Sequence, residues 1–484
     1  MNLRSISRNV GFALLVSALF MFLCIILSLC EGNDSALAAL TISFLITFTV
    51  GIFPFIFVRK TAPISLKEGF VVITLSWLLS FVFGMLPYAL WGGPFTLQNA
   101  WFESVSGFTT TGATILDNVE ALPDSLLLWR ASTHFIGGLG VVVFLLLVIP
   151  GSSPVRMRLT NMELSSLSKS GYAARPNKTV YIFTSVYLGL TVAAFITYLL
   201  CGMKPLDAIC HAMSVCAAGG FSTRNLSIAA FHSPLIEVVT IVFMYLASIH
   251  FGLIFLVFAT RSLKPLKNPV LKFYSLAIVI SAALVSISLR FSGQGFSLGE
   301  SIRYGLFQTL SVASTTGFAV VDNASWPMLP CFILMILGIM CGCAGSTTGG
   351  IKADRVLVLL KSIALQIRKI LHPSSVNEVR LGRRFLYDDE VTSQVVYVSF
   401  YFVILLLSML VTLVAGANAE QAFAGSLSSL GNVGPAIGEI GNMGNYNLVP
   451  AGVKLIFTLD MFLGRVEIYP VIAVIAMLFD SRRN

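Results

Sequence analysis

The residues best placed to do chemistry in this chain are small ones: Thr110-Thr111-Gly112, inside the run Phe-Thr-Thr-Thr-Gly-Ala-Thr-Ile that ends at Ile115. Glycine relieves the φ/ψ limits of other residues, so consecutive carbonyls can point one way, and threonine hydroxyls add oxygens at the end of the row. Rows of such oxygens replace the hydration shell of a cation. One Thr-Thr-Gly also fits an ordinary turn. Here the pattern recurs at Gly112, Gly220, Gly317 and Gly434, with separations of 108, 97 and 117 residues. A serine lies six residues before each glycine, at Ser106, Ser214, Ser311 and Ser428. That spacing favours Gly220 over Gly219 and Gly434 over Gly431 as centres. The third copy reads Thr315-Thr316-Gly317, while the second, Ala218-Gly219-Gly220, and the fourth, Asn432-Val433-Gly434, are degenerate. A strong fourfold hydroxyl site at the inner end is therefore not expected. A period of a quarter of the chain sets the architecture.

The elements that must position these loops are apolar. Of 484 residues 56% are hydrophobic and only 11% charged, with a mean hydropathy of +0.88. Soluble domains carry about 25% charged residues, so this is an integral membrane protein. The net charge of +9 does not indicate nucleic acid, because the basic residues sit between apolar runs. The eight cysteines form no C-x-x-C pair and no cysteine–histidine cluster with metal-ligand spacing, and are read as small core residues. No Walker loop, Rossmann fingerprint or nucleophile–histidine pair is present, so neither an enzyme nor a bound organic cofactor is expected. The run from Val10 to Leu29 is longer than the h-region of a signal peptide and reads as a first span.

Ten segments are long enough to cross a bilayer: 10–30, 36–58, 69–91, 126–150, 179–202, 235–259, 271–291, 328–351, 393–416 and 450–479. The alternate connections and the two ends hold 24 of the 31 Lys and Arg, which places both termini in the cytoplasm and brings the glycine loops in from outside. Short semi-apolar stretches at 99–108, 206–216, 301–312 and 419–430 precede the loops and read as re-entrant half-helices. Irregular backbone at membrane depth needs burial in protein or a water-filled cavity. The expected fold is therefore an all-α polytopic membrane protein. Four repeats of helix, re-entrant pore loop and helix surround a central pore, behind two N-terminal spans. The expected divisions are 1–68, 69–160, 161–265, 266–375 with a broken second helix, and 376–484.

Two further features stand out. The run Gly342-Cys343-Ala344-Gly345-Ser346-Thr347-Thr348-Gly349-Gly350, followed by Lys352, interrupts the eighth span, either as an intramembrane loop or as a helix end with an exit loop. Arg465 lies near the middle of the last expected span, where a charge costs about 2.5–3.5 kcal/mol and must face the bundle interior or water. An ion pair with Glu467, Asp460 or a neighbouring helix and a place by the pore are both open readings. Arg130 and His134 are expected to snorkel or pair locally, Glu103 to attract cations, and His211 to pack or hydrogen-bond. The stretch 361–390 is either a solvated linker or a docking surface.

The chain resembles the TrkH/KtrB/HKT superfamily of cation transporters, and within it the bacterial TrkH branch. The residues that carry the resemblance are Thr110-Thr111-Gly112-Ala113-Thr114, Thr315-Thr316-Gly317-Phe318-Ala319 and Asn432-Val433-Gly434-Pro435, in a fourfold plan over 69–484. It implies potassium uptake across the bacterial inner membrane, with K+ as the transported ion. The implied filter is Thr110, Thr111, Gly112, Ala218, Gly219, Gly220, Thr315, Thr316, Gly317, Asn432, Val433 and Gly434. The implied gate is Gly345, Ser346, Thr347, Thr348 and Gly349, with Lys352 and Arg465. It also implies a homodimer in membrane lipid on a cytoplasmic, nucleotide-binding regulatory subunit of the TrkA type, with contacts at 151–178 and 361–390. Sodium-preferring members often have serine for the first filter glycine, and this chain keeps glycine in all four copies. Alternatives are a sodium-selective or cation-coupled member of the same fold, and an organic-solute carrier. The carrier is disfavoured because every repeat has the same orientation.

Overall fold

The structure is a computed structural model describing residues 2–58, 64–147, 176–374, 378–382 and 384–480. Helices α1 (Leu3–Cys30) and α2 (Leu37–Phe57) pack along each other ahead of the repeats. At their crossing a Cβ on Gly11 would lie 2.6 Å from the Gly51 carbonyl oxygen. Small residues that let backbones touch are the usual contact where lipid removes any hydrophobic drive between helices.

Four units of one design follow. The first contains α3 (Leu66–Gly84), α4 (Leu86–Trp91), the half-helix α5 (Leu97–Phe108) and α6 (Asp124–Leu147). The second contains α7 (Pro176–Leu200), the half-helix α8 (Pro205–Ala217), α9 (Pro234–Ser248) and α10 (Phe251–Thr260). The third contains α11 (Pro269–Arg290), the half-helix α12 (Leu298–Ala313), α13 (Met328–Met340) and α14 (Ala353–Leu371). The fourth contains α15 (Asp388–Val414), a π-turn (Gln421–Gly425) leading into α16 (Ser426–Gly431), then α17 (Ala451–Val466) and α18 (Ile468–Asp480). Local chemistry sets the starts. Capping boxes, Ser65 with Glu68 and Ser297 with Glu300, open α3 and α12. Proline at the first position opens α8, α9 and α11, where its missing N–H costs nothing.

The units interlock in a circle. Half-helix α5 packs against α17 of the fourth unit, α8 against α6 of the first, α12 against α9 of the second, and α16 against α13 of the third. A large part of the core lies behind the first half-helix, where Phe81, Phe102, Phe108 and Trp129 are fully buried.

Among the described residues six helices or helix pairs, α1, α2, α3–α4, α7, α11 and α15, are long and apolar enough to cross a membrane, and α9–α10 makes a seventh if its bend is allowed. The interruption expected in the eighth span is present, with an irregular loop at 341–352 between α13 and α14. Two expectations need correction. The run 235–259 was expected as one helix, but α9 and α10 meet at 98°. The run 450–479 was also expected as one helix, but it stops at Val466 and restarts at Ile468, with Glu467 at φ 61°. Pro470 lies in the first turn of α18 and has no N–H to return to Val466, so a restart here is the local solution. Arg465 therefore sits at the C-terminal end of a helix and not mid-helix. Nor is 361–390 simply a solvated linker. Helix α14 runs to Leu371, a two-stranded hairpin (β1, Arg380–Leu381; β2, Arg384–Phe385) follows, and Lys361 Nζ donates to the Arg380 carbonyl at 2.5 Å.

Candidate cation site

Each half-helix ends in the same way. The N–H groups of Thr110, Ala218, Thr315 and Asn432 donate to the carbonyls of Gly107, Val215, Val312 and Ser429 at 2.9–3.1 Å. The next N–H groups, of Thr111, Gly219, Thr316 and Val433, reach the carbonyls of Ser106, Ser214, Ser311 and Ser428 at 2.9–3.0 Å. This pair of bonds closes a helix through a residue in the left-handed region. Thr110, Ala218, Thr315 and Asn432 occupy it at φ 52–56°. Two residues later Gly112, Gly220, Gly317 and Gly434 are also left-handed, at φ 75–89°. The sequence centres at Gly220 and Gly434 thus coincide with a shared backbone state.

The four glycines close a ring. A Cβ on Gly112 would lie 2.0 Å from the Gly219 carbonyl oxygen, and one on Gly220 would lie 2.0 Å from that of Thr316. On Gly317 it would lie 2.6 Å from the Val433 oxygen, and on Gly434 2.1 Å from that of Thr111, which returns to the first copy. Each glycine therefore accepts, where a side chain would stand, the carbonyl preceding the next copy's glycine. All four glycines line one cavity of about 110 Å³, together with Asp117, Arg130 and Tyr446.

The repeating serines brace the loops in part. Ser311 Oγ donates to the Phe318 carbonyl at 2.6 Å and Ser428 Oγ to that of Pro435 at 2.9 Å. Ser214 instead pairs with His134 Nδ1 at 3.0 Å. Beyond the ring, polar loops link the copies into a collar. Asn225 Oδ1 accepts the Val119 N–H at 2.7 Å, and the Ala229 N–H reaches the Ala319 carbonyl at 3.2 Å. Asn442 Nδ2 donates to the Val321 carbonyl at 2.6 Å, and Asn445 Nδ2 to Asp117 Oδ1 at 2.9 Å.

The 341–352 loop presses against the inner ends of the half-helices. Thr347 Oγ1 donates to the Cys216 carbonyl at 2.9 Å, and the Gly349 N–H to Thr315 Oγ1 at 3.1 Å. A Cβ on Gly349 would lie 2.4 Å from the Gly431 oxygen. The α9–α10 elbow grips the same loop, with the Cys343 N–H on the Ser248 carbonyl at 2.9 Å and the Phe251 N–H on that of Gly345 at 3.0 Å. Arg465 completes the clamp, donating to the Thr347 carbonyl at 2.6 Å and to the Gly137 carbonyl of α6 at 3.0 Å. Ser346 Oγ lies 2.8 Å from Thr348 Oγ1, and Lys352 Nζ donates to the Thr348 carbonyl, tightening the turn.

Residues 37–484 match the TrkH family, described as a cation transport protein. The chain belongs to the TrkH family. It is 31% identical over 99% of both chains to a protein of Halomonas elongata named Trk system potassium uptake protein TrkH, and 30% identical over 99% of both to the protein of that name from Escherichia coli K12. Its fold matches the crystal structure of the potassium transporter TrkH from Vibrio parahaemolyticus, with a TM-score of 0.88 at 28% identity over 98% of each chain. A multi-pass membrane transporter of this family is the frame for the remaining residues.

Within this TrkH-family chain, the expectation for Glu103 changes, and for Arg130 and His134 pairing, not snorkelling, is the outcome. Glu103 is fully buried and pairs with Arg130 at 2.8 Å, so it is not a free lure for cations. Arg130 does not snorkel. It lies over the Phe221 ring at 4.0 Å and donates to the Ser222 carbonyl at 3.2 Å, tying the first unit to the second loop. His134 stacks on the same Phe221 at 4.1 Å. The Glu103 carboxylate in turn accepts from Thr114 Oγ1 at 3.0 Å and the Ile115 N–H at 3.1 Å, which fixes the exit of the first loop. His211 is held as expected, with Nδ1 on the Asp207 carbonyl at 2.7 Å and Nε2 on Ser222 at 2.9 Å. Among the alternatives for Arg465, neither acid is its partner. Glu467 takes Arg355 at 2.8 Å, and Asp460 accepts from Ser408. The spacing of Glu103, eleven residues before Thr114, gave no signal of this contact, because it depends on how the loop returns.

Breaking such a buried pair from one side leaves an uncompensated charge, at a cost of about 3–5 kcal/mol. Arg130→Ala is expected to lower the thermal midpoint of the purified protein, and Glu103→Gln with Arg130→Gln to recover part of the loss. An unchanged midpoint in Arg130→Ala would take the pair out of the scaffold.

Proposed function

We propose that this protein carries potassium into the cell across the bacterial cytoplasmic membrane, with both termini cytoplasmic and the four loops entering from outside. The ion is stripped of water by the ring built from Thr110-Thr111-Gly112, Ala218-Gly219-Gly220, Thr315-Thr316-Gly317 and Asn432-Val433-Gly434. The observation that carries this reading is the cyclic closure, in which each glycine admits the next copy's carbonyl. Left-handed residues two apart turn successive carbonyls toward one side, giving oxygens for a dehydrated cation without charged ligands. That the relatives are named potassium uptake proteins supports potassium as the cargo. The repeat divisions given above are retained as the working units.

The 345–349 segment, with Lys352 and Arg465, acts as the gate. It lies under the inner ends of the half-helices, and Arg465 adds a fixed positive charge as well as two hydrogen bonds. A cation passing about 4 Å from it meets a barrier of about 4 kcal/mol at an effective dielectric near 20. The protein works as a homodimer with a nucleotide-binding regulatory subunit of the TrkA type. Of the two proposed contact regions, 151–178 lies almost wholly outside the described residues, while 361–390 includes the end of α14 and the hairpin.

Potassium-limited growth of a transport-deficient strain tests the reading as a whole: the intact gene restores growth, and failure to do so with the protein in the membrane overturns it. Gly112→Ser places a Cβ against the Gly219 carbonyl and is expected to weaken potassium-over-sodium preference, measured as relative permeability. Unchanged selectivity at normal expression removes Gly112 from the filter. Shortening Gly345–Gly349 is expected to raise ion flux per folded molecule, and flux at the wild-type level makes the segment a linker. Arg465→Ala removes both charge and clamp and is expected to raise flux while leaving selectivity largely intact. Arg465→Lys, which keeps the charge and cannot span both carbonyls as a fork, separates the two contributions. Flux at or below wild type in Arg465→Ala contradicts the pore-charge assignment.

A further inference from the structure

The elbow between α9 and α10 leaves a space that the pathway does not use. A cavity of about 610 Å³ lies between the elbow and α11, lined by Ile249, Ile254, Phe258, Leu271 and Leu276 among others. Two of its polar lining groups satisfy each other, since Tyr245 Oη and Ser275 Oγ lie 2.7 Å apart. Lys272 is the one charged residue in the lining. The outer wall is open and apolar, with Phe258 77% and Leu276 59% exposed, which suits contact with lipid chains and not with water.

Beside Lys272, the connection from α10 to α11 is strongly cationic, and its Lys264–Lys267 turn packs on both helices. Arg261, Lys264, Lys267 and Lys272 are all exposed, and no Asp or Glu occurs between Glu237 and Glu300. Among the described residues no ion pair engages any of the four. An apolar slot ending in a cluster of positive charge at the membrane face has the chemistry of a phospholipid with an anionic headgroup. A second copy of the chain fits poorly, since a twofold contact would set this cationic cluster against itself. A free anion gains nothing from the apolar slot.

We propose that the cavity between α9, α10 and α11 binds one anionic phospholipid per chain, its acyl chain in the slot and its phosphate among Arg261, Lys264, Lys267 and Lys272. The lipid fills the space behind the elbow whose Ser248 carbonyl and Phe251 N–H hold the 341–352 loop.

The test is binding of pyrene-labelled phosphatidylglycerol to the purified full chain in detergent, with unlabelled competitors. Saturable binding of one label per chain is expected, with phosphatidylglycerol displacing it at concentrations at least tenfold lower than phosphatidylcholine. The combined change Lys264→Gln, Lys267→Gln and Lys272→Gln should abolish that preference. Leu276→Trp, which narrows the slot with all charges intact, should weaken binding of both lipids. Equal displacement by the two lipids, or a preference that survives the triple change, overturns the proposal. Displacement by millimolar inorganic phosphate would mark a free-anion site and also overturn it. So would disulfide formation between copies carrying Leu276→Cys, which would identify the occupant as a second chain.

Discussion

Everything in this structure depends on four stretches of backbone, about a hundred residues apart in sequence, meeting closer than side chains allow. At each contact a carbonyl stands where a Cβ would be, 2.0–2.6 Å from its ideal position. Carbonyl dipoles held in a ring repel one another, and a loop free to relax would turn them away. The surroundings remove that freedom at both ends of each loop. On the half-helix side, two backbone hydrogen bonds lock the left-handed turn. On the other side, the collar of asparagines and the Glu103–Arg130 pair fix where the chain leaves. The circular packing of each half-helix on the preceding unit means that no loop can move outward alone.

This explains why two copies of the repeat were plain in the sequence and two were not. The threonines drew attention to the first and third copies, but threonine is not what repeats. What repeats is a pair of left-handed positions, two residues apart, of which only the second needs glycine. At the first, a β-substituted residue costs about 1–2 kcal/mol, and asparagine occupies it most readily. Asn432 is thus well suited to its place, while Ala218, Thr110 and Thr315 are held there by the two capping bonds. The serine six residues upstream was a sound marker for a backbone reason. Its carbonyl accepts the capping bond in all four copies, while its hydroxyl braces the loop through the following carbonyl in two.

The elements that escaped the sequence share a different cause. Nothing between Pro234 and Thr260 marks a break, since the run has no internal proline and its one glycine, Gly252, follows the bend. The elbow exists because the freed Ser248 carbonyl and Phe251 N–H find partners on a loop a hundred residues later. Local propensity cannot register a partner that distant. The break at Glu467 was half legible, because Pro470 forbids one helical bond. What sets the geometry is Arg355, which pairs with Glu467 and lies 3.9 Å over the Tyr397 ring. Arg465 stands out in the sequence as a charge within an apolar run, but two groups it binds, the Thr347 and Gly137 carbonyls, are backbone and carry no sequence signature.

The three breaks are best understood as one structure. Backbone groups freed inside a membrane need partners from protein, because lipid offers none. The second helices of units two, three and four each break, at Ile249–His250, at 341–352 and at Glu467, and each supplies what another lacks. The elbow bonds the loop through Cys343 and Gly345. The end of α17 bonds it through Arg465 on Thr347. The start of α14 ties the loop's exit to the α17–α18 break through Arg355. Among the described residues α6 of the first unit shows no break from Asp124 to Leu147, and its Gly137 carbonyl takes the other arm of Arg465. Shifting the loop alone would strand buried N–H and C=O groups on two neighbours, each at a cost of about 1–3 kcal/mol. The arrangement therefore favours concerted movement of all three breaks over gradual yielding of one.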